Sequence, residues 1–259
     1  MARLIVTRYK IHAGANKKVN IRIAVLADLH SRRGMRTAEI FDKTAALHPD
    51  LILLPGDTFE VLDGTRREDM AAGLELLQRL SALAPTYLSL GNHENGGARS
   101  WNALKWARKS QRRDRALTSE IKLIRECGVT VLDDEFAYLD GVLIGGLTSG
   151  FIRDDHAPRL EWLDGFCAHE GPRILMCHHP EYYEKYLKDA RLDLVVSGHA
   201  HGGQWRIFGR GVFAPGQGFF PRYTSGVHGG VHVISRGLKR ARLIPRLFNP
   251  PEIVFIDLC

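Results

Sequence analysis

Two histidines, His199 and His201, stand one residue apart in a glycine-rich segment and carry the clearest chemical signal in the chain. They follow an apolar run, residues 192–196, that is typical of a short buried strand ending at a turn. Two imidazole rings placed just past a strand end can turn into one cleft and bind a metal ion. A histidine pair in a loop is also compatible with plain solvent-exposed surface, so the interpretation depends on the other segments.

Four further apolar runs, residues 21–27, 51–54, 86–90 and 173–177, end in the same way, with polar side chains directly after them. Side chains alternate along extended chain, so we expect Asp28 and His30 to face the same way. Oxygen and nitrogen donors without thiols suit manganese, iron or zinc. The polar residues that follow the runs are too many for one tetrahedral metal site. Their number fits two neighbouring metal ions that share a carboxylate ligand. The residues that follow the five runs are Asp28, His30, Asp57, Asn92, His93, His178, His199 and His201.

The elements that must position these residues alternate between strand and helix in the first part of the chain. Helical periodicity is present over residues 35–47 and 66–83, whereas short β segments dominate after residue 130. This pattern predicts an α/β fold with two sheets packed face to face and helices outside. We expect a single domain over residues 1–259, with a basic helical insertion at about residues 97–118.

Composition excludes several classes of protein. The 259 residues are 44% hydrophobic and 25% charged, as in an ordinary globular protein, and no apolar run approaches a membrane span. We see no signal peptide and expect a cytoplasmic protein. The four cysteines are scattered, which argues against a thiolate zinc site and a disulfide scaffold. No P-loop, nucleophile elbow or dinucleotide fingerprint is present, so kinase, serine hydrolase and dehydrogenase activities have no support.

The net charge of +7 favours anionic partners and is concentrated in two places, residues 99–115 and 236–246. Both clusters are compatible with solvated surface or with an electrostatic platform for an anionic substrate or membrane. Trp101 and Trp106 lie inside the first cluster. That cluster could therefore contact an anionic membrane peripherally at its inner face, although core-facing tryptophans are the alternative.

The order of the polar segments resembles a known family. The segments are Asp28-x-His30, Gly56-Asp57, Gly91-Asn92-His93-Glu94, His178-x-Pro180 and Gly198-His199-x-His201. They resemble the five ordered motifs of the calcineurin-like metallophosphoesterases and span residues 21–201. The continuation Gly202-Gly203-Gln204 and the tail segments 235–238 and 250–253 resemble the bacterial YkuE-type branch. This resemblance implies a four-layer sandwich in which two mixed β-sheets pack face to face and α-helices flank them.

The resemblance also implies a role for each site residue. Asp28, His30 and His201 would hold a first divalent metal ion (Mn, Fe or Zn). Asn92, His178 and His199 would hold a second, and Asp57 would bridge both. His93 matches a histidine that is not a ligand and that donates a proton or hydrogen bond to the phosphate or the leaving oxygen. The adjacent His179 is the residue most easily confused with His178, which directly follows the strand.

The activity implied is that of a metal-dependent phosphodiesterase or pyrophosphohydrolase, in which the dinuclear centre activates water for in-line attack on phosphorus. We expect the substrate to be a phosphorylated small molecule or a nucleotide-linked lipid such as UDP-2,3-diacylglucosamine. Phe151, Phe213, Phe219, Phe220 and Tyr223 are candidates to line a lipid channel. The alternatives are a nucleic-acid or cyclic-nucleotide phosphodiesterase and a non-catalytic metal-binding scaffold. Retention of every ligand and of His93 argues against the scaffold.

Overall fold

The computed structural model describes residues 3–14, 19–31, 34–59, 67–94, 117–149, 158–215, 217–239 and 245–259. Its helices are α1 (Thr37–Ala45), α2 (Arg67–Leu83), α3 (Leu117–Glu126) and α4 (Leu163–Ala168). Its strands are β1 (Ile5–Ile11), β2 (Ile21–Val25), β3 (Leu51–Pro55), β4 (Thr86–Ser89), β5 (Thr130–Leu132), β6 (Glu135–Leu139), β7 (Val142–Leu147), β8 (Arg173–Cys177), β9 (Leu194–Ser197), β10 (Arg206–Ile207), β11 (Arg210–Gly211), β12 (Phe213–Ala214), β13 (Gly218–Phe219), β14 (Gly226–His228), β15 (His232–Ile234) and β16 (Glu252–Leu258).

Two six-stranded mixed sheets form the framework. The first has the strand order β1-β16-β2-β3-β4-β5 and the second β14-β15-β9-β8-β7-β6. Strands β2, β3 and β4 are parallel neighbours, as are β7, β8 and β9, whereas β16 pairs antiparallel with β2. Two small hairpins, β10–β11 and β12–β13, stand apart from both sheets.

The strand β3 explains how the layers stack. Its residues Leu51 and Leu53 pack in an apolar layer with Ile174 and Val196 of the second sheet. Ile52 and Leu54, which alternate with them, face the opposite way and pack with the helices. A strand buried on both faces needs an unbroken apolar run, which is what the sequence has here. Each such side chain contributes roughly 1.5–3 kcal/mol when it is removed from water.

Helices cover both outer faces, so the predicted four-layer sandwich is confirmed. Leu77 and Leu80 of α2 pack on the first sheet together with Ile124 of α3. Phe166 of α4 and Leu187 of a one-turn π-helix, Tyr183–Leu187, pack on the second sheet. Within the described residues, none of the helices combines the length and the hydropathy that a membrane crossing requires.

Some predicted elements differ in detail. Strand β1 was not expected from the sequence, and two of the short β segments near the C-terminus, β14 and β15, pair as an antiparallel hairpin. The predicted strand over residues 21–27 ends at Val25. Most of the basic insertion, together with Trp101, Trp106 and Phe151, lies outside the described residues.

Candidate metal centre

The site lies where the carboxyl ends of both sheets meet. Parallel neighbours end at the same edge of a sheet, so the loops after β2, β3 and β4 are adjacent, and so are those after β8 and β9. Contacts of the site residues themselves join the sheets at this edge. Nδ1 of His178 donates to the Pro55 carbonyl at 2.8 Å, and the backbone N–H of His199 donates to Oδ1 of Asp28 at 3.0 Å. His178 therefore keeps Nε2 for the interior of the site.

Asp57 stands at the centre of the cluster. Its Oδ2 lies 3.1 Å from Nε2 of His178 and 3.6 Å from Nε2 of His30. Its Oδ1 accepts the backbone N–H of His93 at 2.9 Å. The carboxylate is thus fixed through one oxygen, and the other oxygen faces imidazoles that come from both sheets.

All eight residues predicted from the sequence are brought together around Asp57. Asp28, His30 and His201 form one group of three donor atoms within 4.8 Å of one another, and Asp57, His178 and His199 form another. A third group, His30, Asp57 and His93, overlaps both. Asn92 adjoins the second group because its Oδ1 lies 3.2 Å from Nε2 of His178.

The reason given from sequence for pairing Asp28 with His30 is wrong, although the pairing itself is found. Neither residue is extended: their φ angles are +52° and +43°. Asp57, His199 and His201 also have positive φ, at +53°, +65° and +46°. A side chain in this left-handed region costs roughly 1–2 kcal/mol, and such strain concentrates at functional sites. Tight turns, rather than strand alternation, aim these side chains inward.

Two glycines create the space for the Asp28 carboxylate. A Cβ at Gly198 or at Gly237 would lie 2.6 Å from Oδ2 of Asp28, well inside contact distance. Gly237 also has a φ of +71°, which side chains rarely adopt. Any larger residue at either position would displace the carboxylate.

The electrostatics of the cluster favour bound cations. Burial, together with the charge of Asp57, raises the pKa of Asp28 to about 7 despite the opposing effect of His178. Burial also acts to raise the pKa of Asp57, but the charges of His178 and His93 outweigh it and hold that pKa well below its usual range. Burying two carboxylates costs several kcal/mol unless cations compensate them.

The imidazoles are suited to act as ligands. Burial and the neighbouring His179 hold the pKa of His199 well below its usual range, and burial and His30 do the same for His201. Both rings are therefore neutral and keep a lone pair for a metal ion. Burial acts to lower the pKa of His178, but the charge of Asp57 outweighs it and raises that pKa to about 10, so this ring must release a proton to bind a metal ion. A donor set of carboxylate, amide and imidazole fits divalent ions of the manganese, iron and zinc group.

Glu94 is a buried site residue to which the sequence assigned no role, although it closes the quoted motif Gly91-Asn92-His93-Glu94. Its Oε2 accepts the N–H groups of Asp57 and Gly91, and its Oε1 accepts that of Phe59, each at 2.9 Å. This carboxylate therefore ties the loop after β3 to the loop after β4. Burial and the charge of Asp57 raise its pKa to about 7.

Residues from the C-terminal segment support the loop of His201. Arg246 donates to the His201 carbonyl at 3.0 Å, and Nδ2 of Asn249 donates to the same carbonyl at 2.7 Å. Burial lowers the pKa of Arg246 to about 10. Nζ of Lys239 lies 3.3 Å from Nδ1 of His30. Part of the second basic cluster is therefore integral to the site and is not solvated surface.

A further buried group adjoins the second set of donors. His179, Glu181 and His199 present donor atoms within 4.8 Å of one another. The rings of His179 and His199 meet edge to face with centroids 4.1 Å apart. Burial and the charge of His178 lower the pKa of His179 to about 3, so this ring is also neutral. His199 belongs to both groups, and His179 thus packs directly behind it.

Comparison with known proteins agrees with this geometry. Residues 21–203 match the family model described as calcineurin-like phosphoesterase. The chain is 27% identical to Escherichia coli phosphodiesterase YaeI over 97% of its own length and 87% of that protein. It is 28% identical to the uncharacterized metallophosphoesterase YkuE of Bacillus subtilis, over 81% of this chain and 68% of YkuE. A putative metallophosphoesterase of Caenorhabditis elegans, F40B5.2, is 27% identical over 92% of this chain, which spans only 48% of that relative.

The chain belongs to the calcineurin-like phosphoesterase family, because the family model covers most of its length. It is accordingly an enzyme of the phosphoester hydrolase class. The resemblance seen in the sequence is confirmed, and YkuE is among the relatives.

Proposed function

We propose that this protein hydrolyses phosphodiester or pyrophosphate bonds with two divalent cations. Asp28, His30 and His201 hold the first cation, and Asp57 contributes to both sites. The second cation is held by Asn92, His178 and His199. The observation that carries the proposal is the position of Asp57 Oδ2, 3.1 Å from His178 and 3.6 Å from His30. One oxygen thereby faces both ligand groups, as a bridging carboxylate requires.

When bound, a pair of divalent cations supplies Lewis-acid stabilisation of phosphoryl oxygens and lowers the pKa of water. The protein's own residues have two tasks, to bind the cations and to transfer a proton. His93 is suited to the latter, because its side chain is 19% exposed whereas that of Asp57 is 1% exposed. Its Nε2 lies 3.8 Å from Oδ2 of Asp57, so the ring stands beside the oxygen that faces both ligand groups. We assign His93 as the proton donor to the leaving oxygen.

The experiment measures metal content and turnover on one preparation. Protein loaded with Mn²⁺, Fe²⁺ or Zn²⁺ is analysed for metal per chain and assayed on bis(p-nitrophenyl) phosphate. We expect about two ions per chain, loss of activity after chelation, and recovery when metal is returned. Full activity in metal-free protein, or a single ion at saturation, would overturn the proposal.

For the substrate we propose a nucleotide-linked lipid such as UDP-2,3-diacylglucosamine. The exposed aromatic side chains that follow the His201 loop in the sequence support this choice over a soluble nucleotide. Of the residues named as channel candidates, Phe213, Phe219 and Phe220 are exposed, whereas Tyr223 is buried. They therefore do not support an enclosed channel. The nucleic-acid and cyclic-nucleotide alternatives depended on the basic segment 99–115, which lies outside the described residues. Faster hydrolysis of the lipid in mixed micelles than of UDP-N-acetylglucosamine would support the lipid.

We infer further that the chain forms one domain, an inference supported by the apolar layer that the two sheets share. The cytoplasm stays the predicted location, with peripheral contact at the inner membrane face. Fractionation of cells that express a tagged full-length chain tests this location directly.

A further inference from the structure

The exposed hydrophobic side chains are concentrated in one part of the molecule. Among the described residues, twelve large hydrophobic side chains are exposed, and nine of these lie between positions 205 and 248. One of the nine is Val227 of β14, and we call the other eight the aromatic rim: Trp205, Ile207, Phe208, Phe213, Phe219, Phe220, Leu247 and Phe248. Four of them are almost bare, with exposures of 101% for Phe208, 87% for Phe248, 76% for Phe219 and 73% for Phe220. Single exposed apolar residues are ordinary, but a concentration of this kind marks an interaction surface.

Backbone hydrogen bonds hold the segments of the aromatic rim together. Trp205 forms an isolated bridge with Leu247, and the N–H of Phe220 donates to the Val212 carbonyl at 2.8 Å. Within the second hairpin, Phe213 pairs with Phe219, and their ring centroids are 5.5 Å apart. The rim is therefore one connected surface and not a set of independent loops.

Three of the phenylalanines adopt a backbone conformation that disfavours them. The φ angles of Phe208, Phe220 and Phe248 are +48°, +49° and +52°. Glycine or asparagine adopts this left-handed region readily, whereas a bulky side chain there is strained. The side chains are exposed, so burial on folding does not compensate this strain. We infer that these aromatic rings are retained for a contact outside the chain.

The aromatic rim is continuous with the loop of the metal centre. His201 begins a short helical turn that ends at Gly203, and the Gly203 carbonyl accepts the N–H groups of Trp205 and Val212. Arg246, next to Leu247, donates to the His201 carbonyl. Only a few residues therefore separate the aromatic rim from His201, a candidate metal ligand.

The stretch of chain that carries the aromatic rim is basic. No Asp or Glu occurs from residue 194 to residue 251, although this stretch contains eight Lys and Arg residues. Arg210 of β11 is exposed, and the side chain of Arg222 is 72% exposed, with Glu184 at 3.9 Å. Exposed aromatic rings in a basic stretch of chain are complementary to the headgroup region of an anionic bilayer.

We propose that the aromatic rim docks on the surface of an anionic lipid bilayer, with Phe208, Phe219, Phe220 and Phe248 at the boundary between headgroups and acyl chains. Each ring adds apolar burial, and the exposed Arg210 and Arg222 add electrostatic attraction to anionic lipid. Docking holds the metal centre at the surface where a nucleotide-linked lipid lies. The biological purpose of docking therefore rests on the proposed function.

The test is sedimentation of the full chain with vesicles of phosphatidylcholine alone or mixed with phosphatidylglycerol. The informative variant is F208N/F248N, since asparagine tolerates the same backbone conformation. We expect wild-type protein to bind the mixed vesicles, and the variant to bind at least about tenfold more weakly with unchanged or higher thermal stability. The matched control is Tyr138→Ser, which removes an exposed aromatic residue of β6, and should bind like wild type.

The outcomes separate docking from catalysis. Equal binding by F208N/F248N, or no binding of the wild type to anionic vesicles, overturns the docking proposal. A wild-type dimer that the double variant converts to a monomer, without vesicle binding by either, assigns the rim to self-association and also overturns it. Bis(p-nitrophenyl) phosphate hydrolysis is measured in parallel. Vesicle binding without hydrolysis supports docking and contradicts the proposed function, and hydrolysis without binding does the reverse.

Discussion

His93 contacts both oxygens of Asp57: its backbone N–H donates to Oδ1 at 2.9 Å, and its Nε2 lies 3.8 Å from Oδ2. The main chain of one residue thus fixes the carboxylate, and the ring of the same residue stands beside the oxygen that the proposed cations share. Any movement of the proposed bridging carboxylate moves the proposed proton donor with it. The roles of Asp57 and His93 can therefore be separated only by substitutions that leave the backbone contact between them in place.

His93→Gln removes the proton donor and leaves the backbone contact to Asp57 intact. We expect hydrolysis of a diester with an alkyl leaving group to slow by about 10²–10⁴-fold, with metal content unchanged. The loss should be smaller for a p-nitrophenyl leaving group, which departs without protonation. Steady-state rates on both substrates check this, with the exposed His169→Gln as control. Equal losses on both substrates would contradict the assignment.

Asp57→Asn keeps an oxygen for the His93 amide but removes the charge that faces both ligand groups. We expect the variant to bind less than one metal ion per chain and to lose more than about 100-fold in activity. Asp28→Asn, by comparison, should lose one ion and retain the other. Metal analysis after gel filtration distinguishes the two. The control is Asp50→Asn, since Asp50 pairs with Arg22 on the surface at 2.7 Å. Two ions retained by Asp57→Asn would exclude the bridging role.

The location of the site could be predicted from sequence, because each polar motif directly follows an apolar strand and parallel strands end at one edge. Its supporting residues could not. Nothing in the spacing of Glu94 indicates that its oxygens turn back to backbone N–H groups. Arg246 contacts the carbonyl of His201, which lies 45 positions earlier in the sequence. Only the tertiary fold distinguishes this arginine from arginines on the solvated surface.

The same distinction between local and long-range signals applies to the fold. The continuous apolar run of β3 is visible because both faces of that strand are buried. Strand β1 contains Thr7, Arg8 and Lys10, as an edge strand can, and pairs in parallel with β16 from the opposite end of the chain. The hairpin of β14 and β15 does have a local signal, Gly229-Gly230, both with positive φ.

Glu94→Gln tests whether the buried carboxylate positions the loops of Asp57 and Asn92. An amide group cannot accept on both sides, so at least one N–H group loses its acceptor. We expect the free energy of unfolding to fall by about 1–3 kcal/mol and metal affinity to fall by about 10–100-fold. Urea unfolding and metal titration measure these effects, with the exposed Glu170→Gln as control. Reduced stability with unchanged metal affinity would restrict Glu94 to a structural role.

The environment of His232 in β15 predicts how the free energy of unfolding changes with pH. Its Nε2 lies 2.9 Å from Oγ of Ser197, and the rings of Tyr183, Tyr223 and His228 surround it. Burial, with a smaller contribution from the charge of His228, lowers its pKa to about 3. Between this value and the ordinary pKa of about 6.5, the unfolded chain binds a proton that the folded chain excludes. Stability from this group is therefore complete above about pH 6.5 and is lost as the pH falls.

The measurement compares wild type with His232→Gln in urea unfolding of metal-free protein, near pH 6.5 and near pH 5. One pKa unit corresponds to about 1.4 kcal/mol, so His232 should account for roughly 2 kcal/mol of the wild-type loss over this interval. The variant is expected to be less stable near pH 6.5, because a buried contact is changed, yet to lose less on acidification. His169→Gln, which alters an exposed ring, should keep the wild-type dependence. Parallel curves for wild type and His232→Gln would show that this buried imidazole is protonated equally in both states, contrary to its enclosure by Tyr183 and Tyr223.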